Sequence, residues 1–586
     1  MSSLSHATAG SVVSIGAAPV ASARLSRAMK PAMLAAFAAT LFLFFQLGTW
    51  RPAGHHESLA IVPAQEMLRT GDFLVPTYAG EPRLRKPPLV YWTHATVGRL
   101  AGRIDTATAR LPSALAAVGL AILLFFWADA WYGRTAAVAA FLAQVSSVYV
   151  VTYGRSAEVD MTLCLLSTAA LFLIAPKEAD DRGSLSYRDG TIIGLLAAVS
   201  WLGKFHFGPA MIFGVAIVWL TLRGRRDQIR KLLLNPGTLV ALPAAIFVWP
   251  MLLLAERPDA IEIWLVETVG RAVGATGSSP IWYYVPHLLG LSMPWTIFAI
   301  PGAVLSFQAA WPSTAASLRQ RFSWRATSAR RDARPTDLRE RFLWVWLLTQ
   351  LAILSLSVNK HSHYLLPALP ICSLWAARRI EQLRKCAARG EPLLNVPATC
   401  VAVAAVLAGL VYLVMRLDAR HDVPVLSLST LAASIFASAA IVALVLLPLR
   451  KPKTAAILIG GVGCFGFIVG LMWVLPSNDG RQEVAASAQR VDALVPPYEP
   501  LFAFDIGEHA VVGHLDRPIK RANSIAGLRQ MLAVRDAIWV IAPSKSTAVL
   551  HTHRWVDRDW NVPFGTTDLR VVRLRPVDRS EHGRVR

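Results

Sequence analysis

Acids and bases suited to group-transfer chemistry stand where apolar stretches of this chain break off. Glu57, Glu66, Lys86, Asp160, Lys204, His206, Glu267, Arg271, Lys360, His361 and His363 are such residues, and the topology drawn below sends all of them to one face of a membrane. A carboxylate there can activate or orient a nucleophile, and fixed cations can take up the charge of a departing group. Ionisable side chains at membrane depth are costly and as a rule line a cavity or pathway. Each one singly also fits a helix-end residue whose charge reaches water; the whole set on one face points to a polar site.

The densest stretch is Gly54–Trp92. Within it Glu57–Arg69 has the spacing of an amphipathic helix, with Arg69 in its last turn and Gly71 to stop it, and is expected to lie along the membrane surface. On a continuous helix Glu57 and Glu66 are about 900° apart, so they face opposite ways. Glu57 is assigned to the site and Glu66 to a structural or capping role. Lys86 precedes Pro87-Pro88, whose fixed backbone suits a positioned phosphate ligand better than a free interfacial lysine. Asp160 also fits a helix cap. His361 and His363 read as loop histidines, which leaves Lys360 as the candidate in that segment.

Composition says what must hold these residues. Of 586 residues, 54% are apolar and only 16% charged, against roughly 25% charged in soluble domains. Disorder and an ordinary cytosolic enzyme are excluded. Apolar runs near the ~20 residues that cross a bilayer recur at Pro31–Trp50, Leu111–Ala130, Leu239–Leu254, Phe342–Leu356, Val396–Val414, Leu426–Leu449 and Ala455–Leu475. Shorter candidates near 135–152, 160–175, 190–203, 207–222, 286–307 and 363–377 bring the total to about thirteen. The first run follows Arg24, Arg27 and Lys30 and enters a polar loop without a cleavage site, so it reads as a membrane helix.

The 59 Lys+Arg against 37 Asp+Glu give a net charge of +22, which in a soluble protein would suggest nucleic acid. Here the basic residues crowd into Arg223–Lys231, Arg319–Arg341, Arg378–Arg389 and Arg450–Lys453, as they do in cytoplasmic loops. No nucleic-acid partner is expected. The 51–110 loop, the 256–285 loop, Asn359–His363 and the tail then lie outside.

The tail alternates apolar and polar residues at Leu501–Phe504, Ala510–Val512 and Ala537–Ala542 and has helix-like stretches at Arg481–Leu494 and Ser524–Val534. The expected fold is therefore a polytopic α-helical membrane protein of about thirteen transmembrane helices with a small C-terminal extracytoplasmic α/β domain. Its parts are a cytoplasmic segment at 1–30, a transmembrane domain at 31–475 and the outer domain at 476–586. Residues 1–23 and Asp578–Arg586 read as unstructured ends. None of the five cysteines falls in an outer segment, so no disulfide framework is expected. A phosphate-binding loop for a nucleotide is missing, and a donor energised by cytoplasmic nucleotide is not supported.

Glu57, Glu66-Met67-Leu68, Thr70-Gly71-Asp72, Val75-Pro76, Gly80, Lys86-Pro87-Pro88 and Tyr91-Trp92 resemble the first periplasmic loop of the aminoarabinose lipid A transferases and related protein O-mannosyltransferases, which are C-type glycosyltransferases. The resemblance continues in order through Asp160, Lys204 with Gly208-Pro209, Glu267 with Gly270-Arg271, Trp282-Tyr283-Tyr284, Pro294-Trp295, Lys360, and Tyr364-Leu365-Leu366-Pro367 with Pro370. It implies transfer of a sugar from a polyprenyl-phosphate donor to a lipid, protein or glycan acceptor at the outer face of the cytoplasmic (inner) membrane. It makes Glu57, Asp160 and His56 the catalytic candidates. Lys86, Lys204, Arg271 and Lys360 become candidate donor-phosphate ligands, and Glu267, Tyr283 and Tyr364 substrate-lining ones. The expected partners are the donor and membrane lipid, for a protein acting as a monomer.

The family has Asp-Glu where this chain has His56-Glu57, and the first acid carries the catalytic role. Three readings stay open: Glu57 takes that role, His56 acts as a base near neutral pH, or the site has lost its acid. Moving a carboxylate by one position is the smallest of these changes. The aminoarabinose branch also carries an acid just before the Lys-Pro-Pro lysine, where this chain has Arg85. No required cofactor is legible, and a divalent metal is left open. A lipid-linked sugar flippase and a non-catalytic lipid-binding protein are the competing classes. The first would place its site near the midplane between related repeats, and no such repeat is seen.

Overall fold

The computed structural model describes residues 53–178, 183–270, 278–312, 337–389 and 481–576, apart from a few short gaps, and parts of 37–49. The expectations for residues 1–30, Val396–Val414, Leu426–Leu449, Arg450–Lys453, Ala455–Leu475, Asp578–Arg586, most of Arg319–Arg341, and Arg271 lie outside the described residues.

The described chain enters through α1 (His55–Thr70), a short hairpin of β1 (Thr77–Tyr78) and β2 (Glu81–Pro82), and α2 (Leu89–Ala101). A helical body follows: α3 (Thr106–Tyr132), α4 (Arg134–Ser146), α5 (Val148–Tyr153), α6 (Asp160–Glu178), α7 (Tyr187–Lys204), α8 (Phe207–Leu222), α9 (Arg226–Leu233), α10 (Leu242–Glu256) and α11 (Ala260–Leu265). It is completed by α12 (Tyr284–Leu291), α13 (Thr296–Ala310), α14 (Leu338–Leu356) and α15 (Pro370–Ala388). Among the described residues, Thr106–Tyr132, Asp160–Lys177 and Gly237–Glu256 are helices long and apolar enough to cross a bilayer.

Local chemistry sets the helix ends. Asp105 caps α3 by accepting from Thr108 N at 2.8 Å, and Ser186 with Asp189 forms a capping box at α7. The body packs around aromatic rings, with Trp127 stacked on Trp346 at 5.5 Å and edge-on to Trp131 at 5.4 Å. Two runs that looked continuous are broken. The 135–152 run stops at Ser147, whose backbone is extended, and the 286–307 run stops after Leu291. The breaks meet: Val148 N donates to Met293 O at 2.9 Å, so each interruption helps satisfy the backbone groups freed by the other. The 363–377 run begins as a 3-10 turn, Ser362–Ala368, and becomes α-helical only from Pro370, since Pro367 and Pro370 cannot donate to the preceding turn.

The C-terminal part comprises α16 (Arg481–Leu494), β3 (Leu501–Phe504), β4 (Ile519–Ala522), α17 (Ile525–Val534), β5 (Ile538–Pro543), α18 (Ser544–Thr552), β6 (Val556–Asn561) and β7 (Leu569–Leu574). The sheet order is β4-β3-β5-β7-β6, with β3 parallel to β4 and β5, and β7 antiparallel to β5 and β6. Ala510–Val512, read as a strand, is instead part of a 3-10 turn, Ala510–His514.

That turn packs on α1, so protein covers much of the helix expected to lie along the membrane surface. A Cβ on Gly513 would fall 2.3 Å from Ser58 Oγ, so only glycine permits this approach. Arg521 N donates to Ala79 O at 3.1 Å, and Asn523 Nδ2 to Glu81 Oε1 at 2.7 Å. Between this domain and α2, helix α1 is buried at Glu57–Ala64, Glu66 and Met67. Its end is as read: Gly71 takes the left-handed conformation (φ 77°) and bonds Met67 O.

Candidate active site

Glu57 closes the first turn of α1 by accepting from Gly54 N at 2.8 Å. Its remaining partners come from far along the chain. Arg110 of α3 grips it through Nε to Oε1 at 2.7 Å and Nη2 to Oε2 at 3.0 Å, and Ala157 N donates to Oε1 at 3.0 Å. Glu57 is 1% and Arg110 0% exposed. Ser113, one turn further along α3, donates to Glu158 O at 2.7 Å. Glu57 and α3 thus tie down the irregular segment that leads into α6. Glu66, on the other face of α1, accepts from Thr77 Oγ1 and from Gly80 N at 3.2 Å, and so anchors the hairpin.

The tethered segment ends in Asp160, which opens α6 and accepts from Lys204 Nζ at 2.8 Å. Lys204 is the last residue of α7, and its ammonium also lies 4.3 Å from the ring centre of Tyr364 and 5.2 Å from that of Phe207. The chain then reverses sharply at Phe205, whose φ of 47° is rarely adopted by a bulky residue. Backbone strain of this kind persists where the surrounding packing over-determines it.

Lys86 approaches the same pair from the first loop. Among the described residues its ammonium has no hydrogen-bond or ion-pair partner. Burial and then the Lys204 ammonium lower its pKa, while Asp160 and Glu158 act in the opposite direction. His56, in the first turn of α1, is lowered to about 4 by desolvation, then by Lys86 and His55, with Asp160 opposing. At neutral pH it is an uncharged imidazole. His361 stacks on His363 at 5.4 Å, and His363 meets Tyr364 edge-on at 4.6 Å.

The fold therefore gathers Lys86, Asp160, Lys204, His56 and Tyr364, and adds His361, His363 and Glu158. Glu158 escapes a reading by pattern because it stands in the short polar turn before α6, two residues ahead of Asp160. The other candidates are engaged elsewhere. Lys360 Nζ donates to Ser357 O at 2.8 Å and Ser279 O at 3.3 Å. Glu267 lies 4.0 Å from Arg85, and Tyr283 stacks on His287 at 4.3 Å. Among the described residues no three His, Cys, Asp or Glu side chains are grouped to hold a metal ion. Past the end of α7, a largely apolar pocket of about 510 Å³ is bordered by Trp201, Phe205, His206, Ile246, Pro250 and Trp264.

The helical body thus sets lysines and a carboxylate at the ends of its helices, with a small α/β unit packed on the first loop. Residues 85–253 match the family described as dolichyl-phosphate-mannose-protein mannosyltransferase. Over 362 residues, 59% of each chain, the sequence is 28% identical to the undecaprenyl phosphate-alpha-4-amino-4-deoxy-L-arabinose arabinosyl transferase of Aeromonas hydrophila. Over 395 residues, 64% of each, it is 29% identical to the enzyme of that name from Pseudomonas aeruginosa. The chain thus matches about three fifths of the length of these curated relatives. Its fold matches that of ArnT from Cupriavidus metallidurans bound to undecaprenyl phosphate with a TM-score of 0.68, covering 92% of this chain and 97% of that one at 17% identity. The resemblance read from the sequence holds as a similarity: the chain is similar to the aminoarabinose transferases and to the protein mannosyltransferase family, and it shares the ArnT fold.

Proposed function

We propose that this protein is an inner-membrane glycosyltransferase that moves a sugar from a polyprenyl-phosphate donor to an acceptor at the outer face. The observation that carries this reading is the ammonium of Lys86, without a hydrogen-bond or ion-pair partner among the described residues, beside the Lys204–Asp160 pair. Lys204 is paired with Asp160, whereas the Lys86 ammonium keeps its N–H donors for a leaving phosphate in a partly desolvated setting. The apolar pocket bordered by Trp201, Phe205 and Trp264 suits the isoprenoid chain. The match to a fold solved with undecaprenyl phosphate supports the same donor class.

In this reading Lys86 and Lys204 hold the phosphate, Asp160 and Tyr364 fix Lys204, and His56 borders the acceptor side. Glu57 is a positioning residue, because its oxygens are spent on Arg110 and two backbone amides. Lys360 keeps a structural role. About thirteen membrane helices, with the first loop and the residue 476–586 domain outside, complete the proposed topology.

The test is Lys86→Ala in full-length protein in lipid nanodiscs, assayed for release of undecaprenyl phosphate from undecaprenyl-phosphate sugars. Loss of one phosphate contact is expected to slow release on the order of 100-fold. Release near the unsubstituted rate by a folded Lys86→Ala protein would refute the phosphate assignment.

A further inference from the structure

Attack by an acceptor hydroxyl on the anomeric carbon leaves a proton that some group must take. The carboxylate normally found at the start of the first loop is replaced here by His56, which is uncharged at neutral pH and weakly basic. Glu57 cannot turn to the task, since Arg110 and the amides of Gly54 and Ala157 occupy both its oxygens. Asp160 is tied to Lys204 at 2.8 Å, and protonating it would break the pair that steadies the phosphate-binding cation.

Glu158 is differently placed. Its Oε1 accepts from Ser156 Oγ at 3.1 Å, and among the described residues its Oε2 has no hydrogen-bond partner. It is partly exposed rather than sealed in the core. The charges acting on it are Asp160, Lys86 and Glu57, so it belongs to the same cluster as the proposed phosphate ligands. Burial and then the Asp160 carboxylate raise its affinity for a proton, which is the direction a base near neutral pH requires. Its backbone is pinned on both sides, through Ser113 Oγ to Glu158 O at 2.7 Å and Glu158 N to Ser156 O at 2.9 Å. Ala157, its neighbour, is held by Glu57. The carboxylate is thus set on a rigid turn, as catalytic positioning demands.

We propose that Glu158 is the catalytic base of this enzyme, taking the place of an acid at position 56, where this chain has histidine. The assignment rests on the glycosyltransferase reading above. The acceptor oxygen forms a bond to the anomeric carbon as the bond from that carbon to the phosphate oxygen breaks. The electron pair of the broken bond stays on the phosphate, facing Lys86 and Lys204, and the hydroxyl proton passes to Glu158 Oε2. Glu57 then acts through Ala157, holding the turn that carries the base.

The experiment compares full-length protein with Glu158→Gln and Glu158→Asp in lipid nanodiscs. Three readouts are taken: thermal stability, binding of undecaprenyl phosphate, and kcat and KM for release of undecaprenyl phosphate from a panel of undecaprenyl-phosphate hexoses and pentoses with a membrane-lipid acceptor. Glu158→Gln is expected to keep its stability and undecaprenyl phosphate binding within about threefold while kcat falls roughly 100- to 10,000-fold. Glu158→Asp should recover part of that loss. A kcat in Glu158→Gln within a few-fold of the unsubstituted protein overturns the assignment and leaves the transferase reading intact. A fall in stability that accounts for the lost activity also overturns it, since that is how a merely structural turn residue behaves. No turnover by the unsubstituted protein with any of these donors overturns both.

Discussion

The Glu57–Arg110 pair separates a positioning role from a catalytic one, and its energetics follow from burial. Both side chains are out of contact with solvent, and the guanidinium makes two charge-assisted bonds to the carboxylate at 2.7 and 3.0 Å. Removing one partner of such a pair leaves an uncompensated buried charge and costs about 3–5 kcal/mol. Replacing both by apolar groups of similar size removes the orphan, so the loss should shrink to about 1 kcal/mol or change sign. Glu57→Ala is therefore expected to unfold at clearly lower denaturant than Glu57→Leu combined with Arg110→Met, followed by tryptophan fluorescence in detergent. Transfer should fall in both, because each releases Ala157 and the turn behind it, while binding of undecaprenyl phosphate through Lys86 persists in the stable double variant. If Glu57→Gln is as stable as the unsubstituted protein, binds undecaprenyl phosphate normally and still transfers nothing, Glu57 acts on the substrate directly and the positioning argument fails.

Two further expectations concern pH and topology. His94 of α2 is 1% exposed, and burial lowers its pKa from 6.5 to about 4. The unfolded chain takes up this proton near pH 6.5 and the folded one only near 4. The stability it contributes is thus complete above pH 6.5 and lost as pH falls toward 4, by up to about 3 kcal/mol. His94→Gln should flatten that part of a stability–pH curve; an unchanged slope would show that His94 is protonated at its ordinary pKa. In a cysteine-free background, Asp72→Cys and Arg535→Cys should react with a membrane-impermeant thiol reagent in spheroplasts, and Arg226→Cys only after lysis. Protection of Asp72→Cys in intact spheroplasts contradicts an outer-face site.

Much of the architecture was legible because it depends on local pattern. Runs of about twenty apolar residues announce helices that cross a bilayer whatever they later touch, and α3 and α10 lie where those runs stand. The extent of α1 follows from Glu57–Arg69 and the stop at Gly71, a residue free to take φ 77°. Lys86, Asp160 and Lys204 could be named together because each stands where an apolar segment ends, and the fold does bring them together.

What the sequence could not decide is which of two chemically equal groups is spent inside the fold. Glu57 and Glu158 are both carboxylates at helix starts, yet one meets Arg110, 53 residues away, and the other keeps an oxygen without a hydrogen-bond partner among the described residues. Lys360 and Lys86 are both lysines at segment ends, yet one donates to two backbone carbonyls and the other to none among the described residues. The amphipathic face of α1 predicted an apolar neighbour but not whether lipid or protein would supply it; the turn around Gly513, more than four hundred residues on, supplies it. Periodicity records how a segment divides its own surface, since that is fixed by backbone geometry. The partner that covers the surface comes from elsewhere in the chain, so only the tertiary structure decides which charge is neutralised and which is left to act.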